Sequence, residues 1–208
     1  MPGKLRPRHV KIGRHVPVSP GAVPRFLARF EAVYRAPELG RIDRVVAVPA
    51  AHHRLLWIHP FLDGNGRVAR LVSHAMLRET GVGTSLWSVS RGLARSVTDY
   101  KRALMAADEP RRNDVDGRGA LSEVALTEFC EFFLRVCVDQ VEFMASVLEP
   151  AIAGGSPRSP DWVSARRAAC SQSSSNAACS RRPVTAPLCA CSFQGRSPSV
   201  GSRTYIPG

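Results

Sequence analysis

The chain has 208 residues, of which 44% are hydrophobic, and this suits one globular domain with a substantial core. No apolar run approaches the roughly 20 residues of a transmembrane helix, and no apolar stretch follows the basic start as in a secretory signal, so we expect a cytoplasmic protein. The net charge of +12 does not predict nucleic-acid binding: seven arginines and one aspartate after Pro150 supply half of it, and the rest forms no basic stripe with aromatic residues.

Apolar residues at helical spacing predict helices over residues 20–34, 43–58, 67–80, 91–107 and 122–148. Ser19 is expected to cap the first helix, and Pro49 to break or restart the second, because proline lacks a backbone N–H. Gly81 should end the third helix and Pro150 the last. Residues 108–119 are polar and predict a loop. No strand is predicted within these segments, so the fold class is all-α.

The most polar part of the chain lies between the second and third predicted helices. Gly64 and Gly66 within it tolerate backbone angles that other residues resist, so the main chain can approach a ligand closely. The helix that begins near Gly66 directs its free N–H groups and the positive end of its dipole at the same place. We therefore expect an anion there, and a nucleotide di- or triphosphate is the natural ligand.

Five side chains of this loop suit phosphate chemistry. His59 titrates near neutral pH and is the candidate general base that would deprotonate an attacking hydroxyl. Asp63 offers carboxylate oxygens to Mg2+, which binds through one or two carboxylates and substrate phosphates. Arg67 and Arg70 are three residues apart and share a helix face, where their guanidinium groups can hold phosphate oxygens. Asn65 can donate its amide to a phosphate.

The string His-Pro-Phe-x-Asp-Gly-Asn-Gly-Arg-x-x-Arg over residues 59–70 resembles the defining motif of the Fic (Fido-domain) family. The resemblance implies a helical Fic bundle and a protein adenylyltransferase, a nucleotidyltransferase that moves AMP from ATP to a hydroxyl group of a target protein and releases pyrophosphate. It implies that His59 is the base and that Asp63 holds Mg2+. The phosphate groups would be held by Gly64, Asn65, Gly66, Arg67 and Arg70.

Residues 3–6 and 10–17 resemble the flap of the same family, a short β-hairpin that clamps a segment of the target protein over the active site. An exposed strand edge of this kind can accept a peptide by main-chain pairing. The target-docking residues implied by the resemblance are Val10, Lys11, Ile12 and Gly13.

Tyr100 and Asp108 occupy the places where family members have a helix that lines the adenine and ribose pocket. Their spacing, about two helical turns, lets both face one side. The alternative is a half-buried tyrosine and an aspartate at a helix end. His52, His53 and His74 lie on predicted helices, where a hydrogen-bonded packing residue is the simpler interpretation.

Residues 1–149 are interpreted as a Fic/Fido domain and residues 150–208 as a tail. The tail is rich in Ser, Arg, Pro, Ala and Cys and lacks hydrophobic periodicity, which predicts disorder or an out-of-frame sequence. It holds four of the six cysteines, without the paired spacing of a zinc site. Cys130 and Cys137 fall on an apolar helix face and are expected in the core. We therefore expect no structural metal.

Two departures from the family pattern leave the activity open. The chain starts almost at the flap, without the helices that usually precede it. The Ser/Thr-x-x-x-Glu-Gly/Asn motif that holds many members inactive is absent from the sequence, since Phe132 follows the nearest match, Thr127 to Glu131. Three hypotheses follow: the protein is unrestrained, a separate inhibitory partner restrains it, or the restraining segment belongs to an N-terminal region not included in this sequence. Transfer of another phosphate-containing group, removal of AMP, and a truncated inactive copy are the alternatives to AMP transfer.

Overall fold

The computed structural model describes residues 3–35 and 38–148. Within them a short 3₁₀-helix, Pro20–Ala22, precedes the α-helices α1 (Val23–Tyr34), α2 (Arg41–Ile58), α3 (Asn65–Glu79), α4 (Val89–Arg95), α5 (Val97–Ala107) and α6 (Glu123–Leu148). This architecture confirms the all-α prediction. None of these helices is both long enough and apolar enough to cross a lipid bilayer. The domain boundary predicted at residue 149 and the tail predicted over 150–208 lie outside the described residues.

The core forms where the two long helices, α2 and α6, meet the shorter ones. Helix α2 contacts α1, α3 and α6, and α6 also contacts α4 and α5. Phe129 and Phe133 on α6 are fully buried, with ring centroids 6.1 Å apart. The Phe133 ring also packs on the ring of His52 in α2, at 5.1 Å between centroids. Cys130 and Cys137 belong to the same core. Aromatic packing thus connects α6 to the helix that leads into the polar loop.

Three details of the helices differ from the sequence prediction. Helix α2 continues through Pro49 without a break, because Pro49 is fully buried and its packing outweighs the lost backbone hydrogen bond. The single helix predicted over 91–107 is two helices that meet at Ser96, whose backbone angles (φ −112°, ψ 34°) are not helical. This change of direction lets α4 and α5 both pack on α6. Ser19 makes no side-chain capping bond, because the chain enters α1 through the 3₁₀-helix.

The predicted β-hairpin of the flap does not form within the described residues, where this segment has no strand and only one isolated antiparallel bridge, between Ile12 and His15. The two residues exchange backbone hydrogen bonds of 3.0 Å each around a turn that begins at Gly13, whose φ is +58°. A two-stranded ribbon without a third strand is only marginally stable, which explains why the pairing is so short. The His15 ring Nε2 donates to the Trp57 carbonyl at 2.9 Å, so the turn lies at the C-terminal end of α2.

Candidate active site

The loop between α2 and α3 is closed by one asparagine. The Phe61 N–H donates to Asn65 Oδ1, and Asn65 Nδ2 donates to the Phe61 carbonyl, both at 2.9 Å. Asn65 is only 4% exposed, so these bonds are shielded from water and hold the loop in one shape. This loop-closing role was not expected from the sequence. Phosphate binding by the Asn65 amide stays a prediction.

His59 stands directly after the last turn of α2 in a left-handed conformation, with φ 52° and ψ 62°. Its N–H donates to the Leu55 carbonyl at 3.1 Å, which ends the helix at a position where glycine is usual. A left-handed backbone costs a histidine roughly 1–2 kcal/mol. Strain of this kind collects at functional sites, which supports the predicted role of His59.

The surroundings of the half-buried His59 ring favour its neutral form. Burial lowers the pKa of His59, a hydrogen bond to the Leu56 carbonyl raises it, and His15 and Arg6 lower it further. Because the net pKa lies below the ordinary value of 6.5, the imidazole is neutral at pH 7. One ring nitrogen donates its hydrogen to Leu56, so the other keeps its lone pair and can accept a proton.

Helix α3 begins at Asn65, directly after Gly64, which adopts a left-handed φ of +84°. The Val68 N–H donates to the Gly64 carbonyl at 3.0 Å, so the N–H groups of residues 65–67 have no partner inside the helix. An anion at this end would accept their hydrogen bonds and gain from the helix dipole. The geometry therefore suits the phosphate-binding role predicted for this turn.

The two arginines of the motif lie against the glycines of the loop. Arg67 Nη2 lies 3.3 Å from the position that a Cβ atom on Gly64 would take, and Arg70 Nη1 lies 3.4 Å from the corresponding position on Gly66. Arg67 is exposed and pairs with the Asp63 carboxylate at 3.1 Å, whereas Arg70 is half-buried. Two cations therefore stand at the N-terminal turn of α3.

Asp63 supplies the carboxylate of this loop, and its side chain is 91% exposed. Among residues 3–35 and 38–148, no group of three or more His, Cys, Asp or Glu side chains is arranged to hold a metal ion. Mg2+ commonly takes one or two protein carboxylates and completes its coordination with water and substrate phosphates. Asp63 therefore fits a Mg2+ ion that arrives with a nucleotide, and it does not fit a metal held by the protein alone.

Tyr100 and Asp108 contact the two buried histidines of α2. The Tyr100 hydroxyl lies 2.9 Å from His52 Nε2, and Asp108 Oδ1 lies 3.0 Å from His53 Nε2. Burial raises the pKa of Tyr100 to about 12, although nearby Arg70 lowers it. Tyr100 thus lies close to one motif arginine, Arg70, while Asp108 follows the last turn of α5. Contact of either residue with adenine or ribose stays a prediction.

We expect the protein to lose stability in mild acid, because His52 and His53 are buried as neutral rings. Burial lowers the pKa of His52 from 6.5 to about 3, and it lowers the pKa of His53 as well. Below pH 6.5 the unfolded chain binds protons that the folded chain does not, so stability falls as the pH falls. His52 alone should remove about 2 kcal/mol from the free energy of unfolding between pH 6.5 and pH 5.

Urea unfolding at the two pH values measures this loss. The matched control is His52→Gln, whose amide can still bond to Tyr100 but does not titrate. Its stability should fall less between the two pH values than that of the parent protein. Equal losses in the parent and the variant would contradict the assignment to His52.

The flap turn is tied to the site through His15. Its Nδ1 lies 3.8 Å from Asp108 Oδ2. Of the predicted docking residues, Val10 is half-buried, whereas Lys11, Ile12 and Gly13 are exposed. The N–H and carbonyl of Ile12 are already used in the bridge to His15, and target docking at residues 10–13 stays a prediction.

Arg6 belongs to this site, although the sequence analysis did not identify it. Its Nε donates to the His59 carbonyl at 2.7 Å, and its backbone N–H donates to the Pro60 carbonyl at 2.8 Å. Arg6 is only 2% exposed. Two of its side-chain acceptors, the carbonyls of Ile58 and His59, are more than 50 residues away, and such main-chain acceptors leave no signal in a pattern of side chains.

Comparisons with known proteins agree with the motif. A model of the Fic/DOC family matches residues 1–77. "Protein adenylyltransferase Fic" of Drosophila erecta is 35% identical over 79 residues, which are 38% of this chain and 16% of that protein. The protein of the same name from Drosophila grimshawi is 37% identical over the same shares. The chain thus matches only 16% of the length of these relatives.

A solved structure extends the likeness to the fold. The crystal structure of a Fic family protein from Desulfovibrio desulfuricans G20 aligns with 79% of this chain and 50% of that chain. The TM-score is 0.55 and the sequence identity 25%. Together with the intact motif at residues 59–70, these matches show that residues 1–77 are similar in sequence to the Fic/DOC family and that the fold is similar to that of a Fic family protein.

Proposed function

We propose that the chain is a protein adenylyltransferase, which transfers AMP from ATP to the hydroxyl group of a Ser, Thr or Tyr residue in a target protein. The observation that carries the proposal is geometric: His59 stands in the same short loop as the N-terminus of α3, where Arg67 and Arg70 lie against the loop glycines. Relatives that are named protein adenylyltransferases support it.

His59 acts as the base. Its unprotonated ring nitrogen takes the proton of the target hydroxyl while that oxygen attacks the α-phosphorus of ATP. A bond forms between the target oxygen and the α-phosphorus, the bond from the α-phosphorus to the oxygen that bridges to the β-phosphate breaks, and pyrophosphate leaves. Because burial lowers the pKa of His59, the base is ready at pH 7 without a prior loss of a proton.

The N-terminal turn of α3 holds the triphosphate. Charge on the phosphate oxygens is matched by the guanidinium groups of Arg67 and Arg70 and by the N–H groups of residues 65–67. Asp63 would hold Mg2+ beside this turn, and the ion would supply further positive charge to the phosphates. The ion pair between Asp63 and Arg67 is exposed, so opening it costs little and both side chains can turn to the ligand.

The target segment pairs with the main-chain groups of residues 10–13 that the bridge between Ile12 and His15 does not use. His15 ties this turn to the Trp57 carbonyl, just before His59 in the chain. A strand bound along the turn therefore lies on the side of the molecule where α2 ends and His59 follows.

The test uses ATP labelled at the α-phosphate in one reaction and at the γ-phosphate in another. Each is incubated with the purified chain, Mg2+ and lysate proteins. A separate sample of the same preparation is first melted, and a cooperative transition shows that the chain is folded. We expect protein-bound label from α-labelled ATP alone. Label from γ-labelled ATP would indicate phosphoryl transfer, and loss of AMP from a prelabelled protein would indicate the reverse reaction. Either result, or a folded chain that transfers no label, would overturn the proposal.

A further inference from the structure

Arg6 is a buried cation whose hydrogen-bond partners are main-chain carbonyls. Besides the His59 carbonyl, its guanidinium donates to the carbonyl of Ile58 at 3.4 Å, to that of Arg8 at 3.2 Å and to that of Val18. Burial lowers the pKa of Arg6, and within the described residues no carboxylate offsets this effect. A buried charge is costly to maintain, so the arrangement calls for a reason beyond packing.

We infer that Arg6 is a positioning residue for the transfer reaction: its guanidinium fixes the main chain at His59 and fastens it to the segment that carries the flap turn. The inference rests on the proposed function, because it presumes that His59 acts as the base. No contact between Arg6 and the reacting atoms is involved.

The end of α2 explains why a cation suits this place. The last carbonyls of a helix have no partner inside it and carry the negative end of its dipole. Arg6 binds the carbonyls of Ile58 and His59, which are the last residue of α2 and its left-handed cap. Without these bonds the strained turn at His59 loses a donor that holds it, and the ring attached to the turn can move away from its reactive position.

Arg6 also joins separate parts of the chain. Its backbone N–H donates to the Pro60 carbonyl, and its side chain reaches the Val18 carbonyl beyond the flap turn. The guanidinium therefore binds the main chain at the end of α2 and the stretch that leads into α1, and the backbone N–H of the same residue binds the carbonyl that follows His59. Planar guanidinium donors can serve several acceptors at once, whereas a lysine ammonium acts as a compact point charge.

The experiment separates the geometry of Arg6 from its charge. Arg6→Met removes both, and Arg6→Lys retains a cation without the planar fork. The matched control is Arg41→Met, because Arg41 likewise donates to a carbonyl at a helix end, that of Thr80 at 3.0 Å, but lies at the opposite end of α2. For each variant we would measure thermal unfolding, kcat, the KM for ATP, and the titration of the His59 ring by NMR without substrate.

Both Arg6 variants are expected to melt cooperatively and to lose kcat by about 10²-fold, the usual cost of a misplaced group, with little change in KM for ATP. Arg6→Met should also move the His59 midpoint to higher pH, since a positive neighbour is removed while His15 remains; Arg6→Lys should leave the midpoint near that of the parent. Arg41→Met should retain the parent kcat and midpoint.

For a parent protein that transfers AMP, three outcomes would overturn the inference. The first is failure of both Arg6 variants to fold, which would make Arg6 a purely structural residue. The second is an unchanged kcat in folded Arg6 variants, and the third is an equal loss in Arg41→Met. If the parent itself transfers no AMP, the proposed function fails separately. The NMR titration and the backbone carbonyl shift of His59 then still decide the role of Arg6, since an unaltered His59 in Arg6→Met would contradict it.

Discussion

Replacement of His59 by alanine should lower the rate of AMP transfer by roughly 10²–10⁴-fold, which is the usual contribution of a positioned general base. The loop should keep its shape, because its hydrogen bonds use the Asn65 amide and the main chain of Phe61 and His59, not the His59 ring. The KM for ATP should change little, since the phosphates are held elsewhere in the loop. Initial rates of label transfer at saturating ATP measure the effect.

The control for this variant is His74→Ala. His74 lies on α3, outside the loop, and is also half-buried. Its replacement should leave the rate of transfer nearly unchanged. Equal losses in the two variants would point to a folding defect, and a His59→Ala variant that works as fast as the parent would remove His59 from the role of base.

Replacement of Phe129 by alanine should lower the free energy of unfolding by about 3–5 kcal/mol. The Phe129 ring is fully buried and lies within 6.4 Å, between centroids, of the rings of His52, His53 and Tyr100. Alanine would leave a cavity under the helix that carries the base. Because domains are stable by only about 5–15 kcal/mol, the variant should be close to unfolding at room temperature.

Urea unfolding of Phe129→Ala and of a surface control measures this effect. Val138→Ala suits the comparison, because Val138 lies on the same helix and is 50% exposed. Its cost should stay within about 0.5 kcal/mol. A loss of similar size in both variants would contradict the place of Phe129 at the centre of the core.

Helices in which apolar residues recur at helical spacing over many turns were predictable from the sequence. The points at which helices break or continue were not. The last helix was predicted over 122–148 and is observed at Glu123–Leu148. Pro49 predicted a break on local grounds, but burial inside the core keeps α2 continuous. The division at Ser96 depends on how α4 and α5 reach α6, and spacing along one segment carries no information about such contacts.

In the candidate site, too, the sequence predicts roles for residues that are neighbours in the chain but not contacts between residues that are far apart in it. The roles proposed for His59 and Arg67 come from residues that are neighbours in the chain, so a single segment was enough to predict them. The contributions of Arg6 and His15 depend on main-chain carbonyls that follow them by more than 40 residues. The bonds of Asn65 depend on the shape of a closed loop. Neither kind of contact follows from residue type and spacing.

The packing of α6 on α2 also sets the shortest segment of this chain that can fold around the site. The stretch that resembles the family model ends at residue 77, inside α3, whereas Phe129 and Phe133 cover the side of α2 on which His52 lies. A fragment cut at residue 77 would expose that apolar side to water and could not hold its loop in place. The segment that matches the family model is therefore shorter than the segment that must fold together. A gene fragment that encoded the motif without α6 would encode the site residues without the helix that packs beneath them.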